Sequence, residues 1–220
     1  LSRFDGASAY LYKARVDADG HLVGDYWSGK TGHQAFRAER SPDAVLDTSG
    51  VATALKDPAV RLEFTFPDLD GQRVSLSDPK FQGKVVIVTL AGSWCPNCHD
   101  EAAFLAQLHR DLRGEGLEIV SLQFEHFGDF AQAAAATRRF RDKFGIEYTT
   151  LIAGTSDRDE AAKALPQLTG VFAYPTTIWV DRTGTVRKIH AGFSGPATGE
   201  HYTTLTREFT EFTQQLLAEK

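Results

Sequence analysis

The sequence predicts an α/β chain with a β-rich N-terminal extension. Three observations carry this. "KVVIVTL" at 84–90 is a continuous apolar run rich in β-branched residues, the pattern of a central strand buried on both faces. Two more apolar runs of strand length, "LEIVSLQF" (117–124) and "YTTLIA" (148–153), alternate with stretches of helical spacing. Residues 8–40 read as short strands broken by turns.

In chain order, "SAYLYKARV" (8–16) reads as a strand with Tyr and Val at alternating positions. "DADG" supplies a turn, "HLVGDYWSG" (21–29) a second strand and "HQAFRAER" (33–40) a third. Three short strands are marginal alone and need a partner to pack on. Residues 41–60, with "SPDA", "TSG" and "KDP", read as a linker holding one helical turn. This places a boundary between an extension at 1–60 and a domain at 61–220. "RLEFTF", "PDLDG" and "QRVSLSD" then form a hairpin around an Asp-Gly turn. After the 84–90 strand, Phe104, Leu105, Leu108 and Leu112 fall on one helix face, ended by Gly114 and Gly116. Phe127, Phe130, Ala134, Phe140 and Phe144 suit the inward face of a second helix capped by Gly145. A short helix around "RDEAAKAL" precedes "TTIWV" and "VRKIHAG", an antiparallel hairpin about "DRTG". Tyr202, Leu205, Phe209, Phe212 and Leu216 mark the last helix.

With 42% hydrophobic and 24% charged residues in 220, the composition is that of a globular protein. A net charge of −5 argues against a nucleic-acid partner, and "TRRFRDK" (137–143) reads as a solvated helix face. No run approaches the ~20 apolar residues of a membrane span. The chain has no Met, so the expectation is that upstream sequence was removed and that 1–60 belongs to a larger region. The only two cysteines exclude a disulfide scaffold and leave one dithiol.

Both lie in "GSWCPNCHD" (92–100). As C-x-x-C-H this is a haem attachment pattern, but His/Met ligation needs a Met and the α/β context is wrong for a small haem domain. His99 is then an exposed residue in a helix's first turns. A structural zinc site lacks a second ligand pair. As a dithiol the arrangement has a physical logic. Cys95 at a helix N-terminus puts its sulfur near unsatisfied N–H groups and the positive end of the macrodipole, which favours the thiolate. Cys98, one turn in, is placed to resolve a mixed disulfide. Pro96 occupies the first turn, where a missing N–H costs nothing.

"VVIVTLAGSWCPNCHDE" resembles the thioredoxin superfamily, most closely its TlpA/ResA-like thiol–disulfide oxidoreductases. "VFAYPTTIWVDRTGTV" (171–186), with Pro175 about 80 residues after Cys95, is similar to that family's cis-proline strand and hairpin. The resemblance covers about 61–220. It implies a thioredoxin-like fold, a central mixed sheet flanked by helices. It implies a cis bond before Pro175, packed against the dithiol, and substrate contact at Trp94, Pro96 and Tyr174, the last offering backbone to an extended segment. Glu101 matches an acidic position of the ResA-like branch, on the face of the helix that carries Cys98. Its two readings are a proton acceptor for Cys98 and a carboxylate stabilised by the helix dipole. Thr89 stands where thioredoxin has a buried aspartate.

The implied activity is thiol–disulfide exchange, mainly reduction of protein disulfides, with Cys95 attacking and Cys98 resolving. No cofactor or metal is implied beyond the redox-active Cys95–Cys98 disulfide. Partners are a disulfide-containing protein and an upstream thiol donor, with room for a membrane-bound one and for an N-terminal tether. Location is the periplasm or the outer face of a membrane. Rival readings are a thiol peroxidase of the peroxiredoxin group, whose P-x-x-x-T-x-x-C loop is absent, and a peptide-binding module with incidental redox activity. "GFSGPATGEH" (192–201) lacks the last glycine of a hydrolase elbow and reads as a recognition loop or a plain connection.

Overall fold

In a computed structural model, residues 1–6, 8–44 and 52–219 are described. The extension is an antiparallel meander of β1 (Ser2–Phe4), β2 (Ala9–Val16), β3 (Leu22–Ser28) and β4 (Gly32–Ala38), paired in that order. Three strands match the alternating segments, and β1 is an addition that pairs Arg3 with Tyr10. Register places Tyr12 opposite Tyr26, and their rings meet at 4.6 Å, with Phe36 edge-on to Tyr12. Such cross-strand aromatic pairs are what hold a sheet that buries little. Most of its side chains remain in solvent.

Residues 41–44 and 52–60 form turns, bends and one isolated bridge, with no helical turn; 45–51 lie outside the described residues. The segment 52–56 runs beside 167–169, where Thr169 N–H donates to Ala54 O and Lys56 N–H to Gln167 O. A hairpin of β5 (Thr65–Pro67) and β6 (Arg73–Ser75) follows. Then come β7 (Val85–Ala91), α1 (Pro96–Leu112), β8 (Leu117–Glu125), α2 (Phe130–Phe144), β9 (Thr149–Thr155), α3 (Arg158–Ala164), β10 (Thr176–Val180), β11 (Val186–Ala191) and α4 (Glu200–Ala218).

Five strands form one mixed sheet in the order β11-β10-β7-β8-β9. β7 is parallel to β8 and antiparallel to β10, and all seven of its residues are buried. Alternation divides β7 between two cores. Val85 and Ile87 face α1 and α4, packing with Leu105, Trp179 and Phe209. Val86, Val88 and Leu90 face the hairpin side, with Phe64, Phe81 and Leu165.

Two expectations are corrected. Phe127 and Phe130 are exposed rather than inward. Phe127 precedes α2, and Phe130 is its first residue. The packed face is Ala133, Ala134, Ala136, Thr137 and Phe140, where small side chains bring the helix close to the sheet. His99 is half-buried rather than exposed: its ring lies against Phe140 and Phe144.

Candidate active site

β7 ends at Ala91, and a tight loop carries the chain into α1. Cys95 is the N-cap of α1 and Pro96 its exposed first residue. Cys95 and Cys98 are joined as a disulfide with Cα atoms 5.2 Å apart. Cys98 N–H donates to Cys95 Sγ at 3.2 Å, so one of the helix's orphan donors ends on this sulfur. Tyr174 O lies 3.5 Å from Cys95 Sγ, and the Tyr174–Pro175 bond is cis. Both cysteines are buried, packed with Ala91 and Tyr174.

Trp94 keeps 38% of its surface exposed beside the sulfurs. Its Nε1–H donates to Phe124 O (2.8 Å), and its ring stacks on His126 at 4.5 Å and meets Tyr174 edge-on. Tyr174 is half-buried, its hydroxyl has no hydrogen-bond partner among the described residues, and burial pushes its pKa up to about 12.

Glu101 lies one turn beyond Cys98 and is 1% exposed. Thr89 Oγ1 donates to its Oε2 (2.6 Å), and Thr177 Oγ1 to its Oε1. Thr89 and Thr177 are direct partners across β7 and β10, so register alone sets the two hydroxyls side by side. Burial pushes the Glu101 pKa up to about 7, with the two threonine hydroxyls opposing part of that rise. A carboxyl of this pKa exchanges a proton near neutrality, while Thr89 gives it a hydrogen bond and keeps its own proton.

A second buried carboxylate was not evident in the sequence. Glu125 ends β8 and accepts three bonds: Ser93 N–H (2.9 Å), Ser93 Oγ (2.7 Å) and Thr137 Oγ1 (3.2 Å). It therefore anchors the loop that presents Trp94 and Cys95. From the first turn of α1, His99 Nε2–H donates back to Ser93 O on that loop (2.7 Å), which leaves Nδ1 to accept from Lys143 Nζ (3.3 Å). Asn97, inside the C-x-x-C, donates to Phe193 O at 2.9 Å.

Trp94, Cys95, Pro96, Cys98, Tyr174 and Pro175 thus converge at one end of the sheet, with Glu101 beneath them. Thr177 and Glu125 are further members with no local motif to mark them, and Asn97 lies inside the C-x-x-C but carries no signal of its bond to Phe193. A polar residue ending the apolar "LEIVSLQF" run is the one sequence trace of Glu125.

The Redoxin family model matches residues 54–204. The chain belongs to the Redoxin family. ResA, a thiol–disulfide oxidoreductase of Geobacillus thermodenitrificans, is 26% identical over 140 residues, 64% of this chain and 72% of the relative. ResA of Bacillus subtilis is 26% identical over 129 residues, 59% of this chain and 64% of the relative. A secreted thiol-disulfide isomerase from Corynebacterium glutamicum superposes with a TM-score of 0.57 at 20% identity, covering 82% of this chain and 97% of that one. A thioredoxin-family thiol:disulfide interchange protein from Chlorobium tepidum gives 0.55 at 19%, covering 75% and 100%. These two structures establish the thioredoxin-like fold. With a C-x-x-C pair on that fold and relatives of that name, this Redoxin-family chain is a thiol–disulfide oxidoreductase.

Proposed function

We propose that the chain reduces disulfides of partner proteins, with 61–220 as the working domain and 1–60 as its extension. The observation that carries the roles is the placement of Cys95 Sγ at the N-cap of α1, accepting the Cys98 N–H. In the reduced protein the same donor stabilises a Cys95 thiolate. That thiolate attacks one sulfur of the substrate disulfide. A Cys95–substrate bond forms, and the other substrate sulfur leaves as a thiolate that takes up a proton. Cys98, deprotonated, then attacks Cys95 Sγ, closing Cys95–Cys98 and releasing the second substrate thiol. Two electrons pass from the dithiol to the substrate. A donor dithiol outside the chain restores Cys95 and Cys98, so no other cofactor takes part.

Glu101, beneath Cys98, receives the Cys98 proton. Its pKa of about 7 lets it start deprotonated and end protonated near neutral pH. Trp94, Pro96, Tyr174 and Pro175 line the approach to the sulfurs. The work is placed outside the cytoplasm, in the periplasm or on an outer membrane face, where disulfides persist.

Trapping tests the roles. Cys98→Ser, mixed with a disulfide-bonded protein, is expected to accumulate a mixed disulfide that dithiothreitol releases, while Cys95→Ser accumulates none. Absence of the adduct in Cys98→Ser would refute the assignment. Glu101→Gln is expected to slow resolution of the adduct by about 10²-fold, the low end for a lost proton acceptor, while leaving adduct formation within a few-fold. Rapid acid quench with thiol alkylation separates the two steps.

A further inference from the structure

We infer that the N-terminal sheet is part of the substrate site, walling a cleft beside the dithiol that takes an extended, acidic segment of a partner protein. The inference rests on the oxidoreductase reading and adds to it the chemistry of the substrate.

The cleft measures about 450 Å³, within the range of ligand sites. Trp94 and Asn97 border it on the dithiol side, Tyr174 and Ser194 on the sheet side, and Arg3 and Tyr10 on the side of the extension. The last wall is docked by specific contacts. Asp5 O accepts from Gly195 N–H (3.0 Å) and from Asn97 Nδ2 (3.4 Å), so the extension is bonded to the residue immediately before Cys98. Gly6 has φ of +100°, and a Cβ on it would fall 2.7 Å from Gly195 N. A Cβ on Gly195 would in turn fall 1.9 Å from Asp100 Oδ2 on α1. Two glycines in succession therefore let the extension close onto the start of the redox helix.

Charge points to the ligand. Arg3 from β1 and Arg158 from the start of α3 both line the cleft, and neither has an ion pair or hydrogen bond among the described residues. The lining's one carboxylate, Asp5, already accepts Ser8 N–H at 2.7 Å. Burial, and then Lys188, hold the His190 pKa below its ordinary value, which disfavours its charged form. Two uncommitted guanidinium groups in a concave site suit carboxylates, which they bind bidentately. Main chain is also on offer: the N–H groups of Ala173 and Tyr174 have no partner among the described residues. An extended peptide satisfies them by strand addition, which a small anionic disulfide cannot do.

The test uses reduced full-length protein and loop peptides of one sequence closed by a single disulfide, with Glu, Ser or Lys beside the cysteines. Hydroxyethyl disulfide serves as an uncharged reference and dithiodiglycolate as a small anionic one. The second-order rate of Cys95–Cys98 oxidation is read by acid quench and alkylation. The Glu peptide is expected to react about ten-fold faster than the Lys peptide at low salt, a few-fold from each guanidinium, and the gap closes near 1 M salt. Arg3→Ala with Arg158→Ala removes the preference; the two Lys replacements retain most of it. Equal peptide rates in a protein that still reduces hydroxyethyl disulfide overturn the cleft inference alone, as does a preference that survives the double Ala variant. Dithiodiglycolate matching the Glu peptide overturns the peptide assignment. No reduction of any disulfide overturns the oxidoreductase reading itself.

Discussion

At the scale of single residues the site is organised by two buried carboxylates with different partners. Glu125 accepts from the main chain and hydroxyl of Ser93 and from the Thr137 hydroxyl, whereas among the described residues Glu101 accepts from two threonine hydroxyls alone. Desolvation raises the Glu101 pKa from an ordinary 4.5 to about 7. Between those values the folded state binds a proton that the unfolded state has lost, so stability falls as pH rises through the window. The contribution is full below pH 4.5, and its loss above pH 7 is on the order of 3 kcal/mol. Glu101→Gln keeps the shape of the protonated acid and cannot ionise. The oxidised variant is expected to match the parent near pH 4.5 and to exceed it at pH 8 by about 1–3 kcal/mol, read by denaturant titration at each pH. Equal stability at both pH values would contradict the assigned burial effect. Glu101 was legible from its offset to Cys98. Its partner Thr177 was not, because the pairing of Thr177 with Thr89 exists only once β10 lies against β7.

Among the elements, α2 shows where periodicity informs and where it misleads. The stripe of Phe127, Phe130, Ala134, Phe140 and Phe144 looks inward at helical spacing, yet the two leading phenylalanines stay in solvent. Spacing reports a shared face but not where the helix begins relative to the core. The caps fix that: Asp129 accepts Gln132 N–H (2.9 Å), and Gly145 ends the helix at φ 58°, its N–H bonded to Arg141 O and Asp142 O. Gly145 was readable because left-handed C-caps favour glycine; Asp129 was hidden by the aromatics around it. Asp129→Ala is expected to cost about 1 kcal/mol through the uncapped donor, and Gly145→Ala about 1 kcal/mol through strain at positive φ. The double variant is expected to lose the sum, because the sites share no partner. Phe130→Ser, by contrast, should stay within about 0.5 kcal/mol. Denaturation midpoints check all four. A loss above 2 kcal/mol for Phe130→Ser would place that ring in the core after all.

For the molecule as a whole, the relation of the two sheets is what local sequence patterns did not disclose. The strands of 61–220 were readable because each buries a run of apolar residues. The extension buries little, and the contacts that dock it on α1 and the 192–199 segment use the Asp5 carbonyl, the Asn97 amide and two glycines, groups that leave no periodic pattern. Contact also spans nearly the whole chain, Asp5 to Gly195, so no nearby motif signals it. This docking has an energetic signature of its own. The Gly195 N–H is protected by Asp5 O, whereas the amides of β7 are protected by the central sheet. Opening the extension therefore exposes the first and leaves the second closed, a local event well below global unfolding. Gly6→Val adds a branched side chain at φ +100°, within 2.7 Å of Gly195 N, which opposes docking without touching the core. Amide exchange at Gly195 is expected to accelerate at least ten-fold in this variant, while Val88 and Leu90 keep their parental rates. Unchanged exchange at Gly195 would mean that the extension is not held through this contact, and acceleration at all three would mean that the substitution acts on the whole fold.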